Sequence, residues 1–452
     1  MAIYLGLAIV PVLAALAFLD AGAGEQSPGT ALPPGGGGAG SETFTRLLLA
    51  VAIILAACAV VGAAFERLGQ PAVIGEIMAG ILLGPSVFGA LWPGGSHWLL
   101  PAEIMPQLAT LAQLGAILFV FLAGLELDLG RLRGRGSIAV VVSHVSIAVP
   151  FLLGVVLALV GYSRFAGDRV EFVPFALFMG VSMSVTALPV MARILMDNGL
   201  IRSSVGTMAL TCALVDDVTA WCLLAVVVAL TTASSPWGVV LTIALAGCFA
   251  VVMVFAVRPF IRRVAPSEMA GSRGIVFSLV LAGLLLIALT TELIGVHAIF
   301  GAFVFGLICP RDLPIFVWIR QHVGALTAAL LLPLFFASSG LRTQLGLLAD
   351  SGLWLPCLLI LAVAVLGKLG GSSIAARMMG VSWPQSLQLG ALMNCRGLTE
   401  LVVLNVGLDL GVLDAELFTM LVVMALVSTA MTAPIVVWLQ RRVPQSPASQ
   451  VG

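Results

Sequence analysis

The chain is predicted to be an all-α polytopic membrane protein, and three observations lead there. Of its 452 residues 61% are hydrophobic and only 9% charged, with a mean hydropathy of +1.16, whereas soluble domains carry about a quarter charged residues. Apolar runs long enough to cross a bilayer, which takes ~20 residues, recur along its length. Isolated charges stand inside those runs, above all Asp216 and Asp217 in the middle of the stretch 206–230. An ionised carboxylate at that depth is costly, and two adjacent ones cost more because like charges repel. A membrane helix keeps such a pair only where a cation, a proton or a fixed positive partner offsets it. All three are ingredients of ion-coupled transport.

Taken in order, the chain opens with an apolar segment, 1–19, that lacks a basic leader and is followed by Ala21-Gly22-Ala23. It reads either as a signal peptide or as an extra membrane helix. A Gly/Pro-rich linker, 21–40, follows and reads as flexible. The membrane domain then occupies 41–442, and 443–452 is a short tail. Thirteen spans are expected, at about 46–65, 71–91, 108–128, 137–161, 172–196, 203–231, 237–257, 274–291, 295–309, 323–341, 352–376, 385–408 and 416–438. The ninth is short for a crossing.

Arginine placement sets the orientation. If residues 41–45 lie outside, fourteen arginines fall on inner ends and loops, among them Arg67, Arg202, Arg258, Arg320, Arg377 and Arg441. Only Arg46, Arg164, Arg169 and Arg342 fall outside. The C-terminus is therefore expected in the cytoplasm, with the protein in the cell membrane. Formal net charge is zero, so there is no basic signature for nucleic acid.

The fifth and twelfth spans are interrupted. The fifth carries Ser182, Ser184, Thr186 and Pro189; the twelfth carries Asn394, Arg396, Gly397 and Glu400. Spans one to six and eight to thirteen form two six-helix halves, about 46–231 and 274–438, with the seventh as connector. The offset of seven spans is odd, so the halves are inverted, and the interrupted helix is fifth in each. Paired interrupted helices mark a transporter's binding site.

Successive helix residues point ~100° apart, so Asp216 and Asp217 face different neighbours and can take different roles. Lys368, the only lysine in the chain, lies within the eleventh span. Either aspartate is a natural partner for it; the alternative is a lysine that snorkels to the inner face. Arg396 and Glu400, four apart, share a helix face: they form an internal ion pair, or Arg396 orients or gates groups on the ion path. Asn394 and Asn405 are candidates for hydrogen bonds across the crossing. Glu76 is a further acid inside a span, nearer its inner end. Glu126, Asp128 and Arg193 read as interfacial, and His144 and His297 as structural. The seven cysteines, scattered singly, read as small buried hydrophobes.

These residues sit in stretches that resemble a known family. Val73–Ser86, Phe119–Asp128, Ser184–Leu195, Ala213–Trp221, Pro333–Leu341 and Asn394–Asn405 together resemble the cation:proton antiporter superfamily, specifically its monovalent cation:proton antiporter-2 branch. The resemblance spans 46–438 and leaves out 1–40. It implies a homodimer in the lipid bilayer, each subunit with a dimerisation domain and a core domain with crossed, broken helices. It implies Asp217 as cation ligand and proton carrier, Asp216 as its companion paired with Lys368, and Thr186 as a ligand at the crossing. Ser184 and Asn394 are weaker candidates. Cys395 departs mildly from the family pattern, where threonine or alanine is commoner. The expected function is exchange of protons for Na⁺ or K⁺, with no enzymatic chemistry and no cofactor. A sodium-coupled solute symporter of related architecture is one alternative; an intramembrane aspartyl protease is another, though its aspartates lie on separate helices, one in a GxGD motif that this chain lacks.

Overall fold

The computed structural model describes residues 38–126, 136–166, 170–201, 203–232, 236–264, 273–311, 313–350 and 352–441. The leading apolar segment, most of the linker, Asp128 and the tail lie outside the described residues. The first helix begins at Gly38, so the end of the expected linker is already helical.

Among the described residues the structure is all-helical, with eleven helices long and apolar enough to cross a membrane. The short Ala298–Ile308 helix and the broken pair around Asn394 complete the thirteen expected segments. They are α1 (Gly38–Arg67), α2 (Ala72–Leu83), α3 (Met105–Glu126), α4 (Gly136–Phe165), α5 (Phe172–Ser184) and α6 (Leu188–Asp197), the two halves of a broken span, then α7 (Ser204–Thr232) and α8 (Pro236–Val252). There follow α9 (Arg273–Ile294), α10 (Ala298–Ile308), α11 (Pro314–Leu326) leading into α12 (Leu332–Leu341), α13 (Trp354–Val365) leading into α14 (Gly371–Met378), the second broken pair α15 (Trp383–Met393) and α16 (Leu398–Asp409), and α17 (Ala415–Gln440). The tenth segment starts at Pro314, nine residues before the expected 323, because Arg320 and His322 mask the first turns of an otherwise apolar helix.

The helices pack as two bundles. One joins α1, α2, α3, α10 and α12; the other joins α4, α5, α7, α13–α14, α15 and α17 and holds both broken spans. In the apolar 18-residue window within Val240–Arg263 only 11% of residues are buried, against 78% in that within Phe172–Asp197. The seventh segment is thus peripheral, and the first broken span is the centre of its bundle. Close backbone approach needs small residues where apolar burial gives little discrimination. At Gly306 a Cβ would lie 2.1 Å from the Phe121 carbonyl, so α10 and α3 meet only because this residue is glycine.

Candidate ion site

The breaks position the site. In the first span helical dihedrals end at Val185, and the chain stays extended through Ala187 before Pro189 opens α6. Proline suits a helix's first turn because its missing N–H would be unpaired there anyway. In the second span the break falls at Cys395–Gly397. The two breaks cross: the Ala187 N–H donates to the Cys395 carbonyl at 3.0 Å. A Cβ on Gly397 would sit 2.6 Å from Val190 Cγ2.

Arg396 closes the crossing. Its side chain is fully buried and donates from Nη1 to the Ser182 carbonyl at 2.6 Å and to Glu400 Oε2 at 2.7 Å, and from Nη2 to the Met183 carbonyl at 2.8 Å. The first and last of these cap the C-terminal carbonyls of α5, where the helix dipole favours a cation. Ser184 belongs to the same scaffold, its hydroxyl donating to the Gly180 and Ile147 carbonyls. Asn394 donates to the Ser428 carbonyl at 3.2 Å, and Asn405 to Ser339 Oγ at 2.7 Å. Neither asparagine bonds across the crossing.

Asp216 and Asp217 sit midway along α7, both buried. Asp216 is fully engaged. Its Oδ1 accepts from Ser143 Oγ at 2.5 Å, and its Oδ2 from Ser146 Oγ at 3.0 Å, Thr186 Oγ1 at 2.8 Å and Lys368 Nζ at 3.0 Å. The Lys368 ammonium also donates to Thr186 Oγ1 at 2.5 Å. Both members of the Lys368–Asp216 pair are 0% exposed, so the snorkelling alternative is excluded. Lys368 lies in a π-helical turn, Leu366–Gly370, between α13 and α14; such widened turns occur often at functional sites.

Asp217 is different. No described side chain or backbone group bonds its buried Oδ1, and the residue lines a cavity of about 300 Å³ between the two bundles. Leu188 and Pro189 form one wall, Phe119, Leu122 and Thr327 the other, and Glu126 and Arg320 lie toward the end of α3. At the opposite end of α3 a second cavity between the bundles, lined by Gln113, His297, Ser338, Asn405 and Asp409, holds only about 60 Å³. It is bridged by Arg342, at 2.6 Å from Asp409 and 3.3 Å from Asn405. Beside it, at the same end of α3, a cavity of about 380 Å³ is lined by Met105, Ala109, Ser338 and Arg342.

The expected residues are thus partly gathered. Asp216, Thr186 and Lys368 form one cluster, with Asp217 beside it facing the cavity. Thr186, expected on the cation, spends its hydroxyl on Asp216 and Lys368. Glu76 is half-buried in α2, and its carboxylate makes no hydrogen bond to that cluster. Ser143 and Ser146 were missed: serine in a membrane helix is ordinary, and only their spacing of three, on one face of α4, hints at a shared partner. Thr327, also missed, is buried in a second π-helical turn with its hydroxyl unpartnered by any described group. The adjacent acids do not form a proteolytic dyad, because Asp216 is held by four other side chains.

Crossed broken helices within one bundle, and a buried aspartate lining a cavity between the two bundles, are the architecture of an ion transporter. The chain belongs to the sodium/hydrogen exchanger transmembrane family, whose model matches residues 51–439. It is 42% identical to the Na⁺/H⁺ antiporter NhaS4 of Synechocystis over 88% of this chain and 98% of that one. It is 39% identical to cation/H⁺ antiporter 20 of Arabidopsis thaliana and 33% to K⁺/H⁺ antiporter 1 of Saccharomyces cerevisiae, each over 87% of this chain. The chain spans about half the length of those two, 48% and 46%. The sodium proton antiporter MjNhaP1 of Methanocaldococcus jannaschii shares the fold, with a TM-score of 0.66 at 16% identity, over 89% of this chain and 100% of that one.

Proposed function

We propose that the chain is a multi-pass antiporter that exchanges protons for a monovalent cation, Na⁺ or K⁺, with Asp217 as the exchanging group. The observation that carries this is the contrast within the aspartate pair: Asp216 is saturated by fixed donors, whereas Asp217 faces open space between two bundles. Ionised Asp217 binds a partly dehydrated cation with its carboxylate and water or backbone oxygens. Protonated, it is neutral. In both loaded states the charge is cancelled, so the core bundle can cross; bare Asp217 holds it back. Thr186 acts within the Asp216–Lys368 cluster, and Arg396 and Glu400 keep the crossing rigid.

The inverted halves are 46–231 and 274–438, and the bundle of α1, α2, α3, α10 and α12 is the dimerisation domain of a homodimer. The arginine distribution supports a cytoplasmic side that holds Glu126, Arg320 and the C-terminus, so the cavity beside Asp217 faces inward. A cysteine replacing Met378, which is 81% exposed at the end of α14, should then resist a membrane-impermeant thiol reagent in intact cells, in a background without native cysteines. Labelling from outside would reverse the orientation.

The test of activity is purified protein in proteoliposomes with a trapped pH dye, challenged separately with Na⁺, K⁺ and Li⁺. Cation-driven proton movement that ignores membrane-permeant organic solutes is expected. Proton movement that requires such a solute would favour a symporter.

A further inference from the structure

Resting on that reading, we propose that Thr327 is a second cation-binding residue, which gives its hydroxyl oxygen to the partly hydrated ion that Asp217 takes from the cavity between the bundles. The argument starts from what the cavity offers. Its volume of about 300 Å³ is roughly ten times the share of one water molecule in the liquid, room for a cation with part of its shell. Phe119, Leu122, Leu188 and Pro189 make much of its wall apolar. Side-chain oxygens on the lining come from Asp217, Thr327 and Glu126. Glu126 is exposed at the end of α3, which leaves Thr327 as the buried neutral oxygen. Thr186, offered for that part by the resemblance, has its hydroxyl on Asp216 and Lys368.

Thr327 is 1% exposed, and no described group bonds its hydroxyl. Threonines inside helices ordinarily settle this locally, by donating to a carbonyl one turn back. Thr211, Thr219, Thr231, Thr290 and Thr432 all do so here. The Thr327 hydroxyl does not, although the Val323 carbonyl one turn back accepts the backbone N–H of the same residue. Thr327 opens the π-helical turn Thr327–Leu331, a widened geometry common at functional sites. A hydroxyl buried without a partner destabilises the fold that keeps it. Valine would fill the same space without that penalty, so the fold alone gives no reason for a threonine here. A cation in the cavity does.

The chemistry fits an alkali cation. A hydroxyl oxygen has two lone pairs to offer. Neutral oxygen dipoles replace the water that such an ion sheds, and their number and the size of the site decide which ion is preferred. Asp217 cancels the charge from one wall, and Thr327 adds a neutral ligand from the other.

The experiment follows thermal unfolding of purified wild type, Thr327→Val, Thr327→Ser and Asp217→Asn in detergent at alkaline pH, titrated with Na⁺ or K⁺ against a choline control. A cation that binds only the folded state raises its unfolding temperature, and the concentration at which the rise sets in reports the affinity. Losing one contact between a polar group and a charge shifts an equilibrium constant by about a power of ten, so Thr327→Val should need at least about tenfold more cation. In choline its unfolding temperature should equal the wild type's or exceed it. Thr327→Ser should restore the wild-type response, and Asp217→Asn should not respond. A Thr327→Val variant that responds at wild-type concentrations, or that is destabilised in choline, marks a residue of the scaffold and overturns the assignment; so does Thr327→Ser responding no better than Thr327→Val. A wild type that responds no better than Asp217→Asn overturns Asp217 as the cation's carboxylate, and this proposal with it.

Discussion

Replacing Lys368 by alanine removes the only positive group among the described residues that touches Asp216. The ammonium lies 3.0 Å from Asp216 Oδ2 and 2.5 Å from Thr186 Oγ1, and both ion-pair partners are fully buried. Breaking a buried pair by deleting one member costs roughly 3–5 kcal/mol, most of it the penalty of the charge left behind. Asp216 would keep its bonds from Ser143, Ser146 and Thr186, so the loss should fall near the lower end, about 3 kcal/mol. Adding Asp216→Asn removes the orphaned charge, and much of the stability should return. A double-mutant cycle on detergent-solubilised protein, read by unfolding midpoints of the wild type, both singles and the double, measures the coupling. A value of about 2 kcal/mol is expected. Coupling indistinguishable from zero would mean that the pair contributes nothing to the fold and that Lys368 spends its time elsewhere, and the reasoning about a fixed Asp216 would fail with it.

Two further expectations concern the bundles. Arg342→Ala should loosen the contact between the bundles at the far end of α3, since it removes the bridge to Asp409 and Asn405. A cysteine at Ser338, which lines the cavity that Arg342 bridges, should then react with a thiol reagent roughly two- to fivefold faster, the change that an exposed ion pair of about 0.5–1 kcal/mol can bring; an unchanged rate would mean the bridge restricts nothing. Gly306→Ala should destabilise by about 1–3 kcal/mol, as overpacking does, because its Cβ would collide with the Phe121 carbonyl. A thermal midpoint equal to the wild type's would show that α10 and α3 can separate freely.

The parts legible in the sequence were those where a residue type is rare in its setting. Two acids and one lysine inside apolar runs are costly enough to announce themselves, and proline, glycine and arginine inside two spans of corresponding rank marked both breaks. The span boundaries followed apolar length except at the starts of the first and tenth, which begin well before the apolar run does. What stayed hidden depends on residues that are common everywhere. Ser143 and Ser146 look like any helix serines until α4 packs on α7. The depth of Lys368 was undecided, because a lysine a few turns from a helix end can snorkel; the widened turn at Leu366–Gly370 and its packing against α4 bury it. The resemblance offers Thr186 as a ligand at the crossing; that its hydroxyl meets Asp216 and Lys368 follows from packing that the sequence does not display. That Arg396 reaches back to cap α5 could not be read from its i, i+4 acid alone, since its carbonyl partners come from a segment more than two hundred residues away.

The central claim is that one carboxylate carries both ions in turn, and Asp217→Asn tests it most directly. The variant keeps the side chain's size and polarity in a site where no described group bonds the buried oxygen, so folding and insertion should survive, checked by a monodisperse gel-filtration profile and an unfolding midpoint like the wild type's. In proteoliposomes with an imposed pH gradient, Na⁺ or K⁺ should dissipate the gradient in the wild type and leave it untouched in the variant. Cation-driven proton movement near the wild-type rate in well-folded Asp217→Asn would contradict the account.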